Sequence, residues 1–157
     1  GEVEIPGTAG DIARCEDTVL LGGETDMVER AAAIVAAYRD PIIATGPLGS
    51  AQLVKLLNNA LFAANVQLAG QVERIAEGFG VDMADAAAAI QQCSGASYAM
   101  ARVFEIGSAA TLGELAGHIL HKDTSTIRDV ARELDIDLGV LGQVHEQGPL
   151  SFEPRSG

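Results

Sequence analysis

The chain has 157 residues, of which 48% are hydrophobic, 4% aromatic and 20% charged, with no tryptophan. This composition is typical of a folded domain of closely packed, alanine- and leucine-rich helices. The formal net charge of −12 disfavours a nucleic-acid backbone or an anionic membrane surface as a partner. We find no apolar run long enough to span a membrane and no cleavable apolar N-terminus, so we expect a cytoplasmic location.

The hydrophobic periodicity predicts a short α/β segment followed by helices. The predicted elements are strands over 18–21 and 41–45 and helices over 26–38, 51–79, 83–93 and 98–106. Gly80 and Gly107 are typical of helix C-termini, and Asp82 is typical of a helix N-cap. The pattern predicts five or six helices in all.

A domain boundary is predicted near Gly46, where a Gly-Pro turn follows the second strand. We expect residues 1–45 to form an α/β remnant and residues 46–150 to form an all-helical domain. The tail over 151–157, which contains proline and glycine, is predicted to be disordered. The fold class is therefore mainly α, a helical bundle preceded by a short α/β segment.

The segment GPLGSAQLVKLLNN, which begins at Gly46, carries Lys55 and Asn59 four residues apart. Residues at this spacing share one face of a helix, so the ammonium and the amide can converge on one ligand. Ser50 is a suitable N-cap, and no acidic residue occupies the first turn, so an anion could bind there. The competing interpretation is a solvated surface lysine and an ordinary helix amide.

Apolar residues surround this helix on nearly every side, so we expect it to be buried almost all round. The predicted apolar stripe covers one face and consists of Leu53, Leu56, Leu57, Ala60, Leu61, Ala64 and Leu68, while Phe62 and Val66 continue the face of Lys55 and Asn59.

The same segment resembles the substrate-domain signature of the β-hydroxyacid dehydrogenases, in which two glycines three positions apart precede a lysine and, four positions after the lysine, an asparagine. This is the 3-hydroxyisobutyrate dehydrogenase-like family, within the 6-phosphogluconate dehydrogenase superfamily. Gly46, Gly49, Lys55 and Asn59 carry the resemblance. It implies that Lys55 is the general acid/base and that Asn59 holds the substrate oxygen or supports Lys55. Residues 1–45 would then be the C-terminal edge of a Rossmann dinucleotide-binding domain.

A second segment, LAGHILHKDTSTIRDVA, is similar to the family's Lys-Asp motif. The resemblance implies that Lys122 contacts the nicotinamide cofactor and that Asp123 lies by the substrate pocket. Leu115 stands where the family often has an aromatic residue, so the shape of the substrate is expected to differ. Without the resemblance, Lys122 and Asp123 would be interpreted as an exposed charge pair.

The N-terminal residues fall where the family carries a substrate-binding Ser-Gly-Gly turn. This chain has Pro6, Gly7 and Thr8 there. The resemblance implies that Gly7 and Thr8 contact the substrate, with the threonine hydroxyl in place of the serine.

The chain has no G-x-G-x-x-G loop between a strand and a helix, the motif that holds a dinucleotide pyrophosphate. Because the chain also begins with glycine, we expect the nucleotide-binding half to lie upstream and this part alone to be inactive. The implied cofactor is NAD or NADP, and the residue that would distinguish them is expected in the upstream half.

Cysteine and histidine usage points to neither a disulfide framework nor a metal site. Cys15 and Cys93 are far apart in sequence and are predicted to be free thiols. His118 and His121 have helical i, i+3 spacing, but they and His145 lack the acidic residue of a zinc motif. We expect no metal.

Two functions follow from these features. The first is part of an NAD(P)-dependent oxidoreductase that converts a small β-hydroxyacid, with an imine reductase-like enzyme as its variant. The second is a non-catalytic helical dimerisation module. Under both, the family resemblance implies a homodimer or higher homo-oligomer, with close helix contacts permitted by the alanines of the long helix.

Overall fold

The computed structural model of the chain describes residues 10–15, 18–37 and 41–152. Gly7 and Thr8 of the predicted N-terminal turn lie outside these residues. The chain divides into two compact units, Gly1–Asn58 and Asn59–Gly157. This division falls twelve residues after the boundary predicted at Gly46, and the functional assignment of the predicted domains stays a prediction.

The first unit contains a three-stranded sheet in the order β1-β2-β3. The strands are β1, Gly10–Cys15, β2, Thr18–Gly23, and β3, Ile42–Gly46. Strands β1 and β2 pair antiparallel, whereas β2 and β3 pair parallel. Because parallel neighbours need a crossover, the helix α1, Thr25–Val35, connects β2 to β3. The predicted α/β segment is confirmed, with an additional strand, β1, before it.

The turn between β3 and the next helix requires glycine at two positions. Gly46 has φ of +125° and Gly49 has φ of +88°, a region that side chains other than glycine rarely adopt. The Thr45 hydroxyl donates to the Leu21 carbonyl oxygen at 3.0 Å and lies 2.7 Å from the Ser50 hydroxyl. Since the Thr45 hydrogen is used, Ser50 donates to Thr45. The predicted N-cap role of Ser50 is therefore wrong: Ser50 is the first helical residue and its hydroxyl ties the helix to the sheet.

Five helices follow the sheet. They are α2, Ser50–Gly78, α3, Met83–Gln91, α4, Tyr98–Ile106, α5, Ala109–Glu133, and α6, Gly139–Gln147. The bounds of α4 are as predicted, α2 is shifted by one residue, and α3 ends two residues early. These small differences are expected, because helix ends fray and their hydrogen bonds change type.

The predicted caps between α2 and α3 are confirmed. The Gly80 N–H donates to the Glu77 carbonyl at 3.0 Å and the Val81 N–H donates to the Ala76 carbonyl at 2.9 Å. This is the pair of bonds that closes a helix on a left-handed glycine. The Asp82 carboxylate then accepts from the backbone of Ala84 at 2.8 Å, as an N-cap does.

The core of the second unit is built on the small residues of α2. The residues of α2 buried in this core are Ala63, Val66 and Ala69, with Ala60, Ala64 and Ala76 also buried. The prediction that α2 is buried almost all round is wrong. The leucines of the predicted stripe at 53, 57, 61 and 68 are exposed, whereas the core cluster of buried residues contains Ala63, Val66 and Ala69 of this helix.

Two contacts bring α5 and the C-terminal residues into this core. The Glu73 carboxylate accepts from the Ala109 N–H at 3.0 Å, and Ser108 caps the same helix end by accepting from Thr111. Phe152, in the tail predicted to be disordered, is buried, with its backbone near Gly117 of α5 and its ring near Gly113. An aromatic ring buries a large apolar surface, which favours order at this residue. The disorder of the rest of the tail stays a prediction.

Candidate functional site

The two predicted motifs of the helical domain meet at one hydrogen bond. The Asn59 side-chain amide on α2 donates to the Asp123 carboxylate on α5 at 2.8 Å, and both residues are partly buried. They are 64 residues apart in the sequence. The bond points the amide nitrogen of Asn59 at Asp123 and its oxygen away from it. Two polar groups expected near a substrate are therefore held in a fixed geometry.

Lys122 immediately precedes Asp123 on α5 and is exposed. Leu115 and Ile119 precede it at helical spacing, and their side chains are 71% and 62% exposed. Positions i, i+4 and i+7 share one helix face, so an apolar surface ends in a lysine. Among the residues described, no carboxylate lies within ion-pair distance of Lys122, which leaves its ammonium available to a ligand.

Lys55 lies on α2 in the first compact unit and is partly buried. It makes no side-chain hydrogen bond or ion pair with any residue in the described part of the chain. Lys55 and Lys122 are the only lysines in the sequence. Each of the two predicted motifs thus contains one of the two lysines. The two motifs together are a more specific indication of the family than either motif alone.

Of the six predicted site residues, four lie in the described part of the chain and two do not. Asn59 and Asp123 are in contact, and Lys122 adjoins Asp123 on the exposed side of α5. Lys55 precedes Asn59 by one turn of the same helix. Gly7 and Thr8 lie outside the described residues.

Two contacts that join α2 to later parts of the chain were not predicted from the sequence. Gln67 is 1% exposed on the alanine face of α2, and His145 on α6 lies 2.8 Å from the Ala60 carbonyl oxygen. A glutamine seven residues after Ala60 and four after Ala63, on an otherwise apolar face, was the available signal for Gln67. His145 gave no such signal, because a lone histidine on a short helix has many possible surroundings.

Two further features are absent from residues 10–15, 18–37 and 41–152. No three histidine, cysteine, aspartate or glutamate side chains in these residues are grouped so as to hold a metal ion. No helix among them has the length and apolar character needed to cross a membrane. Cys93 is an exposed free thiol, and the side chain of Cys15 lies outside the described part.

Comparison with known families decides the relationship of this chain. The family described as "NAD-binding of NADP-dependent 3-hydroxyisobutyrate dehydrogenase" matches residues 49–148. The match includes Lys55, Asn59, Lys122 and Asp123. The chain belongs to this family. The family resemblance expected from the two motifs is thereby confirmed.

Solved structures of 3-hydroxyisobutyrate dehydrogenases share the fold of this family member. The Mycobacterium tuberculosis enzyme, in a structure with L-serine, matches with a TM-score of 0.70 and 16% identity over 91% of this chain and 57% of that one. The Salmonella typhimurium enzyme matches with a TM-score of 0.68 and 16% identity over 88% of this chain and 52% of that one. These likenesses confirm the mainly α fold with its short α/β segment.

A curated relative of this 3-hydroxyisobutyrate dehydrogenase-like chain is UDP-glucose 6-dehydrogenase AglM from Haloferax volcanii. It is 35% identical over an alignment of 135 positions, and the match covers 80% of this chain and 29% of the relative. The chain therefore spans about a third of the length of this curated relative and just over half the length of the solved structures.

The family's cofactor is a nicotinamide dinucleotide, NAD or NADP, as its description implies. The exposed face of α5 fits such a group in its chemistry. Leu115 and Ile119 offer an apolar surface to a flat ring, and the Lys122 ammonium is a donor for an amide or phosphate oxygen. No phosphate-binding glycine loop occurs in the sequence, so these residues would hold only part of the cofactor.

Proposed function

We propose that this chain is the helical substrate domain, with the end of the Rossmann domain, of an NAD(P)-dependent dehydrogenase for a small β-hydroxyacid. The observation that carries the proposal is the 2.8 Å hydrogen bond from Asn59 to Asp123, which joins two family motifs at one place. The family match over residues 49–148 supports it. Because the chain spans only part of the length of its relatives, we propose this activity for the complete protein.

Lys55 is the proposed general acid/base. In the oxidation of a hydroxyl group, a proton must leave the oxygen, and an amine one helical turn before Asn59 is placed to take it. Asn59 orients the substrate oxygen, and Asp123 fixes the orientation of the Asn59 amide. When bound, the nicotinamide supplies the hydride acceptor, and Lys122 contributes to holding it. Because Asn59 is neutral, it aligns the oxygen without competing for the proton.

Two other functions remain as outcomes of the test. An imine reductase-like enzyme would use the same helical architecture but would not require the lysine. A non-catalytic dimerisation module would retain the helix packing while tolerating loss of both lysines. The likeness to a UDP-glucose 6-dehydrogenase adds a further alcohol substrate to be assayed.

The test is hydride transfer by the full-length protein that contains this chain, followed at the nicotinamide absorbance with a panel of 3-hydroxyacids and with UDP-glucose. We expect Lys55→Ala to lower kcat by about 10²- to 10⁴-fold, the usual contribution of a positioned acid/base. The matched control is Lys122→Ala, the other lysine, for which we expect mainly a higher KM for the cofactor.

Each alternative gives a different result. Full activity in Lys55→Ala would contradict the acid/base role, and turnover of cyclic imines without hydroxyacids would favour the imine reductase-like function. Absence of turnover with every substrate, despite nicotinamide binding, would favour the non-catalytic module.

We also propose that the chain associates with a second copy of itself through α2. Leu61, Leu68 and Ile75 recur every seven residues and are 57%, 50% and 46% exposed. An apolar stripe with this period is typical of a helix that packs against another helix. Light scattering on the purified protein measures the association directly.

A further inference from the structure

The last residues of the described chain, residues 148–152, form an irregular segment after α6, which we name the C-terminal strap. One buried side chain holds it. The Gln67 amide nitrogen donates to the Leu150 carbonyl oxygen at 2.7 Å, and the Leu150 N–H donates to the Gln67 amide oxygen at 2.9 Å. Gln67 thus uses both ends of its amide on one residue of the strap, as a neighbouring strand would.

Glycines on two helices make room for the strap. A Cβ added at Gly70 of α2 would lie 3.1 Å from the Leu150 side chain, and one at Gly113 of α5 would lie 3.5 Å from it. At Gly117 of α5, a Cβ would lie 3.5 Å from the Phe152 carbonyl oxygen. Leu150 is therefore in contact with both helices, and the strap is packed between α2 and α5.

The helix before the strap contacts α2 at a second point. His145 lies with Nε2 at 2.8 Å from the carbonyl oxygen of Ala60, the residue that follows Asn59. Because a carbonyl can only accept, Nε2 donates the hydrogen of this bond. Nδ1 is buried and has no partner among the described residues. The single bond that His145 makes is thus directed at the helical turn that carries Asn59.

These contacts converge on the two helices whose side chains form the candidate site. Asn59 lies on α2 one residue before the His145 contact and eight before Gln67. Asp123 lies on α5 six residues after Gly117. We infer that His145 and Gln67 are positioning residues, which set the separation of α2 and α5 at which Asn59 reaches Asp123. The inference rests on the proposed function only for its effect on turnover, because the hydrogen bond itself can be observed without it.

The experiment follows the Asn59 side-chain amide of the 157-residue chain by ¹H–¹⁵N NMR. Asn59→Ala assigns the signal, and Asp123→Ala gives its position when the bond is absent. The test variants are Gln67→Met, which removes both strap bonds at similar volume, and His145→Phe, which removes the bond to Ala60. The conservative variant His145→Gln keeps a donor, and Gln71→Met is the matched control on the exposed side of α2.

We expect Gln67→Met and His145→Phe to move the Asn59 signal towards its position in Asp123→Ala. His145→Gln and Gln71→Met should leave it near the wild-type position. In the full-length protein, the same two variants should lower kcat/KM by about tenfold to a hundredfold, since displacements of about 1 Å have such effects. His145→Gln should recover most of the loss.

An unchanged Asn59 signal in folded Gln67→Met and His145→Phe would overturn the inference, even if both melt at lower temperature. Phe152→Leu, a milder change in the strap, serves the same comparison if either variant does not fold. Failure of the proposed function would appear instead as absence of turnover in the wild-type protein. The two failures are therefore distinguishable.

Discussion

Gly148, the first residue of the C-terminal strap, provides a sharp test of how that segment is packed. A Cβ added at Gly148 would overlap the side-chain amide oxygen of Gln67 and lie 2.7 Å from its Cγ. Gln67 is 1% exposed and bonded at both ends of its amide, so it has no room to move without losing those bonds. Gly148→Ala should therefore destabilise the protein through one clash.

The cost follows from two contributions. Overpacking a filled interior costs about 1–3 kcal/mol. If Gln67 moves, its amide and the Leu150 backbone lose their bonds, and each buried polar group left without a partner costs about 1–3 kcal/mol. Partial relaxation limits the sum, so we expect a loss of about 3–5 kcal/mol in the free energy of unfolding. For a protein of this size, this lowers Tm by about 6–20 °C.

Thermal and urea unfolding followed by circular dichroism measure the change. The matched control is Gly78→Ala, at the end of α2, where an added Cβ meets nothing within 4 Å. There the alanine should raise stability by about 0.5–1 kcal/mol, because it favours the helix. A Gly148→Ala protein that melts within about 1 °C of wild type would refute the packing that we describe for the strap.

Three further predictions concern helix ends and the exposed stripe. Asp135 has φ of +54° at the end of α5, so Asp135→Gly should add about 1 kcal/mol in urea unfolding, and a loss of stability would contradict this reasoning. Glu73→Ala should lower the free energy of unfolding by about 1–2 kcal/mol because α5 loses a cap. The control Glu77→Ala, at an exposed position, should change it by less than about 0.5 kcal/mol. Equal effects of the two substitutions in urea unfolding would refute the capping role. The double variant Leu61→Glu, Leu68→Glu should be monomeric by light scattering with Tm little changed, and an unchanged mass would exclude this stripe as the interface.

Local sequence signals were sufficient for the order and type of the elements from β2 to α4. Asp82 and Gly80 act through hydrogen bonds to residues within five positions, so their roles are visible in the sequence. The strand β1 was missed, because its pairing with β2 is a tertiary contact within a segment that has no strict alternation.

The face that α2 buries could not be predicted from hydrophobicity alone. The predicted stripe combined five leucines with Ala60 and Ala64. The structure buries Ala60, Ala63 and Ala64 and exposes Leu61 and Leu68. Helix α2 therefore has two apolar faces. One consists of small side chains that pack within the chain, and the other consists of larger side chains that we propose meet a second copy of the chain. Which face meets the chain's own core depends on the other helices, and periodicity carries no information about them.

The candidate site shows the same division between local and tertiary information. The spacing of Lys55 and Asn59 is a property of one helix, and it was available in the sequence. The contact between Asn59 and Asp123 depends on the distance between α2 and α5, which residues remote from both motifs determine. Gln67 and the strap residues that it binds carry no recognisable catalytic pattern. A search of the sequence for catalytic patterns therefore finds the candidate catalytic residues. It misses the residues that set the distance between the helices carrying them.

The pairing of Asp123 with an amide rather than with a lysine bears on how the site works. An ammonium bound to Asp123 would be committed to an ion pair, whereas the Asn59 amide satisfies the carboxylate without cancelling its charge. Both lysines of the chain then remain available for the roles proposed for them, Lys55 as the acid/base and Lys122 in holding the cofactor, in a protein with a formal charge of −12. Replacing Asn59 with aspartate would place two carboxylates within hydrogen-bond distance and draw a cation to neutralise them. The proposed division of roles therefore depends on a neutral residue at position 59.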